Sequence, residues 1–162
     1  MKIEQWEIGK VKPYDKNPRR NDKAVEAVAK SIREFGFRQP IVVDADGLIV
    51  VGHTRYKAAL KLGLATVPVH VAADLSPQQA RAYRIADNRT NETAEWDVDL
   101  LPIELGELRD GGTDLKLLGF TDKELAEYLK DFDTDLEDGA ADAEEAARTI
   151  HCPKCGHEFP LE

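Results

Sequence analysis

The stretch Val50-Val51-Gly52-His53-Thr54-Arg55-Tyr56-Lys57-Ala58-Ala59-Leu60 decides how this chain is read. Two apolar residues end a strand-like run, and one glycine passes it to a helical pattern. A strand that turns directly into a helix presents unpaired backbone N–H groups and the positive end of a helix dipole. Gly52 lets a ligand approach the backbone, and Thr54 offers a hydroxyl. Arg55 has the fork geometry that suits phosphate oxygens, and the His53 ring can donate or accept. Tyr56, Ala59 and Leu60 form the expected core face of the helix. On spacing alone, a phosphate site and a plain charged turn are equal readings.

Outward from this junction the elements alternate. Ile41-Val42-Val43 and Leu48-Ile49-Val50-Val51 read as two strands joined by a hairpin turn at Asp44-Ala45-Asp46-Gly47. Upstream, Ile3 to Val11 alternates like a half-buried strand, and a turn-rich stretch, PYDKNPRRND, follows from Pro13. Asn21 or Asp22 is then placed to cap a helix carrying Val25, Val28, Ile32 and Phe35, with Gly36 to end it. Downstream, the junction helix should stop at Gly63. Val67 to Val71 is a strand whose Pro68 predicts a sheet edge or a strand start. Ser76-Pro77-Gln78-Gln79 has a capping serine, proline at the first helical position and glutamine three after the cap, opening a helix to about Asn88.

Residues 1–94 therefore read as one mixed unit of strands and helices. Residues 95–130 read as a helical extension. Trp96-Asp97 supplies an apolar anchor and a cap, Leu100, Leu101, Leu105 and Leu108 follow, and Gly111-Gly112 stops the first helix. Thr121 to Glu124 is a second capping box, leading Leu125, Tyr128 and Leu129. Residues 131–148 are an acidic linker, with eight acids and no base over 131–145. Residues 149–162 form a tail.

The net charge of −9 argues against non-specific nucleic-acid binding, but its distribution does not. Residues 1–94 hold 16 basic and 11 acidic residues, a balance of +5. Residues 95–162 hold 6 and 20, a balance of −14. The first part can face an anion and the second repels one. No apolar run is long enough to span a bilayer, and MKIEQWEIGK lacks a secretory signal, so a cytoplasmic protein is expected.

Cys152-x-x-Cys155-Gly156 has the form of a zinc knuckle, half of a zinc ribbon. His157 and His151 are candidates to complete the site locally, and a partner chain or second copy is another source of ligands. Arg81, Arg84 and Arg89 form a basic stripe, read first as a solvated face. Lys16-Asn17-Pro18-Arg19-Arg20 is a basic turn, and His70 a packed or surface strand residue.

NPRRND, FGFRQPIVVDADGLIVVGHTRYKAAL, VPVHVAADLSPQQARAYRIADNRTNE and AEWD, in this order, resemble the ParB/sulfiredoxin-like domain. The likeness is nearest to the phage and DNA-modification branch called ParB-like nuclease domain, and covers about residues 3–110. It implies an α+β fold, a mixed sheet with packed helices, followed here by the helical extension and the zinc-knuckle tail. It also implies a nucleotide pocket around a strand-to-helix phosphate motif.

In partition proteins that motif reads Gly-Glu-Arg-Arg; Gly52 and Arg55 match, while His53 and Thr54 replace the middle pair. A second family element, an acidic-Asn pair whose Asn helps hold Mg²⁺, falls on Asp87-Asn88. Its downstream arginine is met by Arg89, closer to the Asn than in the family. Arg19 and Arg20 would close over a triphosphate or meet a DNA backbone. Sulfiredoxins carry a catalytic cysteine where His53 stands, so their reductase activity is not expected. No helix-turn-helix is legible after residue 110, so centromere-like reading of DNA is not expected from this chain alone.

The resemblance implies a CTP- or ATP-binding protein with Mg²⁺, acting in phage or plasmid DNA modification, partition or packaging within a bacterial host. CTPase-like turnover is its candidate activity. Phosphates would lie on Gly52, His53, Thr54 and Arg55, with Arg19, Arg20 and Arg89 around them and Mg²⁺ on Asn88. Asp87 and Glu92 are the candidates to orient a water, with His53 a third catalytic candidate. Its expected partners are the nucleotide, DNA through the basic half and a second copy as homodimer. A DNA nuclease and a small-molecule kinase are alternatives on the same fold. A third is a non-enzymatic adaptor for a DNA methyltransferase or another DNA-handling protein.

Overall fold

The computed structural model describes residues 2–130 and 132, and the backbone of the strands Thr149–His151 and Glu158–Pro160. The chain divides into two compact units, one of Met1–Glu95 with Leu117–Gly119, the other of Trp96–Lys116 and Phe120–Glu162. Among the described residues no helix is long and apolar enough to cross a membrane.

The first unit is an α+β fold on a mixed four-stranded sheet. Its elements run β1 (Glu4–Glu7), α1 (Val25–Phe35), β2 (Ile41–Val43), β3 (Ile49–Val51), α2 (His53–Lys61), β4 (Thr66–Val71) and α3 (Pro77–Asn91). The spatial order is β1-β4-β2-β3. β4 pairs antiparallel with β1 and parallel with β2, and β2 and β3 form the antiparallel hairpin. Ile41, Val43, Ile49, Val67 and Val69 are fully buried, with Val11 and Ala59 in the same cluster. At about 25 cal/mol per Å² of apolar surface, these β-branched side chains supply the main stabilisation of the unit.

The local signals hold where they are self-contained. At the hairpin, Gly47 (φ 78°) donates to Asp44 O at 3.0 Å, and Asp44 Oδ1 accepts from the N–H groups of Asp46 and Leu48. Ser76 and Gln79 form a reciprocal capping box at the start of α3, which continues to Asn91 rather than Asn88.

Four expectations need correction. Ile3 to Val11 is not one strand, because a 3-10 turn at Ile8–Lys10 follows β1. Neither Asn21 nor Asp22 caps α1 through its side chain; Lys57 Nζ draws both oxygens away, at 2.9 and 2.7 Å. β4 is interior, not an edge. Pairing with β2 begins only at Val69, so Pro68 faces a neighbour strand on one side, which a residue without an N–H tolerates. Leu60 is exposed, and Ala58 takes its place beside Ala59 in the core face of α2.

In the second unit α4 spans Leu100–Asp110 and α5 covers residues 122–130. Asp97 Oδ1 accepts from the N–H groups of Asp99 and Leu100 at 3.0 Å, just ahead of α4, which begins at Leu100. Thr121 and Glu124 form the second capping box. Trp96, Phe120 and Tyr128 make a tilted aromatic series, with centroids 5.7 and 6.0 Å apart. β5 (Thr149–His151) and β6 (Glu158–Pro160) pair antiparallel. Cys152, Cys155, His157 and the His151 side chain, the expected zinc ligands, lie outside the described residues.

Candidate functional site

β3 ends at Val51, and Gly52 takes φ 106° and ψ 25°, a left-handed conformation that turns the chain sharply into α2. A Cβ here would lie 3.4 Å from both Ile41 Cα and Arg55 Nε, in close contact, and it is the left-handed conformation that favours glycine at this position. Tyr56 is the first residue to close the helix ladder, donating to Gly52 O at 2.9 Å. The N–H groups of His53, Thr54 and Arg55 precede it and have no acceptor within the helix.

These residues form the floor of a polar cleft of about 190 Å³. Asn17, Arg19 and Asn21 line it from the loop before α1, and Asp87, Asn88 and Asn91 from the last turns of α3. Three segments distant in sequence thus converge, and Asp87 is the one carboxylate in the lining. Arg55 Nη1 donates to Gln39 O and Pro40 O at 3.0 and 2.9 Å. Burial lowers the Arg55 pKa and the Asp87 charge opposes that shift. Arg19 Nη1 donates to Asn88 O at 3.2 Å and pairs with Glu92 at 3.0 Å. Arg89 holds the other Glu92 oxygen at 3.2 Å.

Gly52, His53, Thr54, Arg55, Arg19, Asp87 and Asn88 of the expected set line this cleft together. Arg20 and Arg89 do not; they line a neighbouring surface recess with Arg19, Asn88 and Glu92. Glu92 is outside the cleft lining as well.

His53 is half-buried, and its Nε2 accepts the Tyr14 N–H at 3.3 Å. Burial first, then the charges of Arg84 and Lys57, push its pKa down to about 4. Arg84 was expected in a solvated stripe with Arg81 and Arg89; Arg81 and Arg89 are exposed, but Arg84 is only 4% exposed. Its Nε donates to Ile49 O at 2.8 Å, Nη2 lies 3.6 Å from Asp44, and its guanidinium stacks 4.1 Å from the Tyr14 ring centroid. Tyr14 and Asn91 were not singled out, Asn17 only as part of the basic turn and Asn21 only as a helix cap. Ala80 and Arg84, one turn apart and both buried, mark the inner face of α3, and that spacing was the available signal for Arg84.

A second recess of about 440 Å³ shares Thr54 and Arg55 with the cleft. Val28, Ile32, Phe35 and Phe37 give it apolar walls, and Ser31, Arg38 and Gln39 add polar groups. A strongly polar, cation-lined cleft therefore opens beside an apolar recess of roughly ring-accepting chemistry.

The family model of the ParB N-terminal domain matches residues 1–89, and that of the ParB-methyltransferase HTH domain matches residues 99–153. The second match corrects the expectation that nothing of helix-turn-helix type follows residue 110. The chain is 35% identical over 124 residues to the chromosome-partitioning protein Spo0J of Thermus thermophilus, covering 74% of this chain and 42% of that protein. It is 34% identical over 80 residues to the ParB-like nuclease domain-containing protein YnaK of Escherichia coli, covering 49% of this chain and 92% of that one. Among solved structures, it is similar to the C-terminally truncated partitioning protein ParB of Caulobacter crescentus complexed with CTP-γ-S. That likeness has a TM-score of 0.57 and 26% identity, over 79% of this chain and 71% of the other. The chain spans less than half the length of the Thermus partitioning protein.

Proposed function

This chain belongs to the ParB N-terminal domain family, and we propose that its first unit binds a nucleoside triphosphate in the cleft at Gly52. One observation carries the reading: three segments bring Arg19, the free N–H groups of residues 53–55, Arg55 and the Asp87-Asn88 pair to a single small polar cleft. A helix N-terminus with flanking guanidinium groups is a site for a polyanion. The adjoining apolar recess fits the nucleoside end, with Gln39, Ser31 and Arg38 available to its polar edge. The Caulobacter relative complexed with CTP-γ-S supports CTP as the first nucleotide to test.

Magnesium fits this lining to a limited extent. The described residues contain no cluster of three His, Cys, Asp or Glu. The Asp87 carboxylate and Asn88 Oδ1 offer two ligating groups, while Asn88 Nδ2 donates to Arg84 O at 2.6 Å. Mg²⁺ readily completes an octahedron with phosphate oxygens and water, so two protein oxygens suffice beside a triphosphate. The ion would neutralise phosphate charge there. Asp87 is the acid placed for any water-orienting role, because Glu92 is spent on Arg19 and Arg89. A two-metal nuclease wants several clustered carboxylates, and a cleft with one carboxylate favours nucleotide binding over it.

DNA is the second partner in this reading. The helix-turn-helix match over 99–153 and the chromosome-partitioning relative support it, with the basic first unit as a further electrostatic contact. Titration calorimetry with CTP, ATP and GTP, each with Mg²⁺, tests the central step. Saturable binding of at least one is expected, and CTP first. A folded protein silent to all three would overturn the proposal.

A further inference from the structure

Two of the three cleft segments meet through one ring. His53 Nε2 accepts from the Tyr14 backbone, so that nitrogen is bare and the proton of a neutral imidazole sits on Nδ1. The Tyr14 ring is itself stacked on the Arg84 guanidinium, which Ile49 O anchors to β3. An imidazolium is unsuited here. It would lose the acceptor that Tyr14 uses, and it would add charge to a helix N-terminus already facing Arg84 of α3 and Lys57 of α2. Arg19 of the loop and Arg55 of α2 line the same cleft, and Asp87 is the one opposing carboxylate. Nδ1–H has no protein partner among the described residues, although His53 lines the cleft.

We propose that His53 is a neutral, Nδ1-protonated binding and positioning residue. Through Nε2 it latches the loop that carries Arg19, and through Nδ1–H it donates to a phosphate oxygen of the ligand. This rests on the phosphate reading of the cleft. It assigns His53 to gripping and loop-setting rather than to proton transfer. A neutral ring supplies a donor to an anion without asking the crowded cations to tolerate another charge.

Long-range ¹H–¹⁵N spectra of the labelled full chain at pH 7 read the tautomer directly, before and during titration with CTP and Mg²⁺. The expected result is a bare Nε2, a protonated Nδ1 and a shift of the Nδ1 resonance on CTP binding. Two variants separate the roles. His53→Gln puts an amide near the Nε2 position, so Tyr14 amide exchange stays slow while CTP affinity falls about tenfold. His53→Asn puts one near Nδ1 but releases the loop that carries Arg19, so Tyr14 exchanges about tenfold faster while CTP affinity falls less than in His53→Gln. An Nε2-protonated ring or an imidazolium at pH 7 overturns the proposal, as do two variants that behave alike. CTP that binds without moving Nδ1 overturns the ligand role of His53 alone. Wild-type protein that binds no nucleotide, with the tautomer as stated, overturns the phosphate reading and the ligand role with it.

Discussion

Arg55 and Arg19 both line the cleft, but they are held by different means. Arg55 donates through one nitrogen to two backbone carbonyls, at 2.9 and 3.0 Å, from a half-buried position in the first turn of α2. Arg19 reaches from a loop to the Asn88 carbonyl and to Glu92, with its side chain 44% exposed. The floor of the cleft is therefore held by the protein's own backbone. The rim is tied by an exposed ion pair, which contributes little to stability and is easily exchanged. A ligand meets a floor that needs no reordering and a rim that must let go of Glu92, so most of the affinity should come from the floor.

The sharpest way to break this contrast is to remove the post beneath both parts. Arg84→Leu deletes the bond to Ile49 O, the approach to Asp44 and the stack on Tyr14. A loss of about 2 kcal/mol in urea unfolding is expected, the scale of losing a charged donor to a buried backbone carbonyl. A loss below about 1 kcal/mol would mean that the floor does not depend on Arg84. Next comes Arg55→Ala, which leaves the fold but removes the fixed guanidinium. CTP affinity by calorimetry should drop about fiftyfold, in the range of charge-assisted hydrogen bonds.

His53 sharpens the contrast through pH. Its folded pKa, pushed down to about 4, lies below the ordinary imidazole value of 6.5. The unfolded chain therefore binds more protons between those values. Its contribution to stability is complete above pH 6.5 and is lost as pH falls toward 4. Unfolding at pH 7 and pH 5 should differ by about 1 kcal/mol from this group, after discounting for its partial exposure. His53→Gln should remove that part of the difference.

The sequence made the floor legible and hid what holds it. A strand, one glycine and a helix are local, and so are the boxes at Ser76 and Thr121, whose partners are three residues apart. Arg84 looked like a surface cation because its partners, Ile49 O and the Tyr14 ring, come from distant parts of the chain. Pro68 suggested an edge strand because its one-sided pairing is a property of strand stagger, not of sequence. Asn21 and Asp22 suggested a cap because Lys57, which takes both, arrives only when α2 packs against α1. Asp87-Asn88 and Arg19 were found through family likeness. Nothing in their own spacing shows that they share a cleft.

The smallest effects test the rim, and they should have opposite signs. Arg19→Ala removes a cation that can turn from Glu92 to the ligand, so CTP affinity should fall about fivefold. The loss should shrink as salt is raised, because an exposed guanidinium is screened over about 10 Å at 0.1 M. Glu92→Gln removes the competitor instead. Arg19 then keeps only the Asn88 carbonyl, and Arg89 is released as well. Affinity should rise about twofold, the worth of freeing one exposed pair. If Glu92→Gln weakened binding as Arg19→Ala does, Glu92 would be serving the ligand, and the rim would be as fixed as the floor.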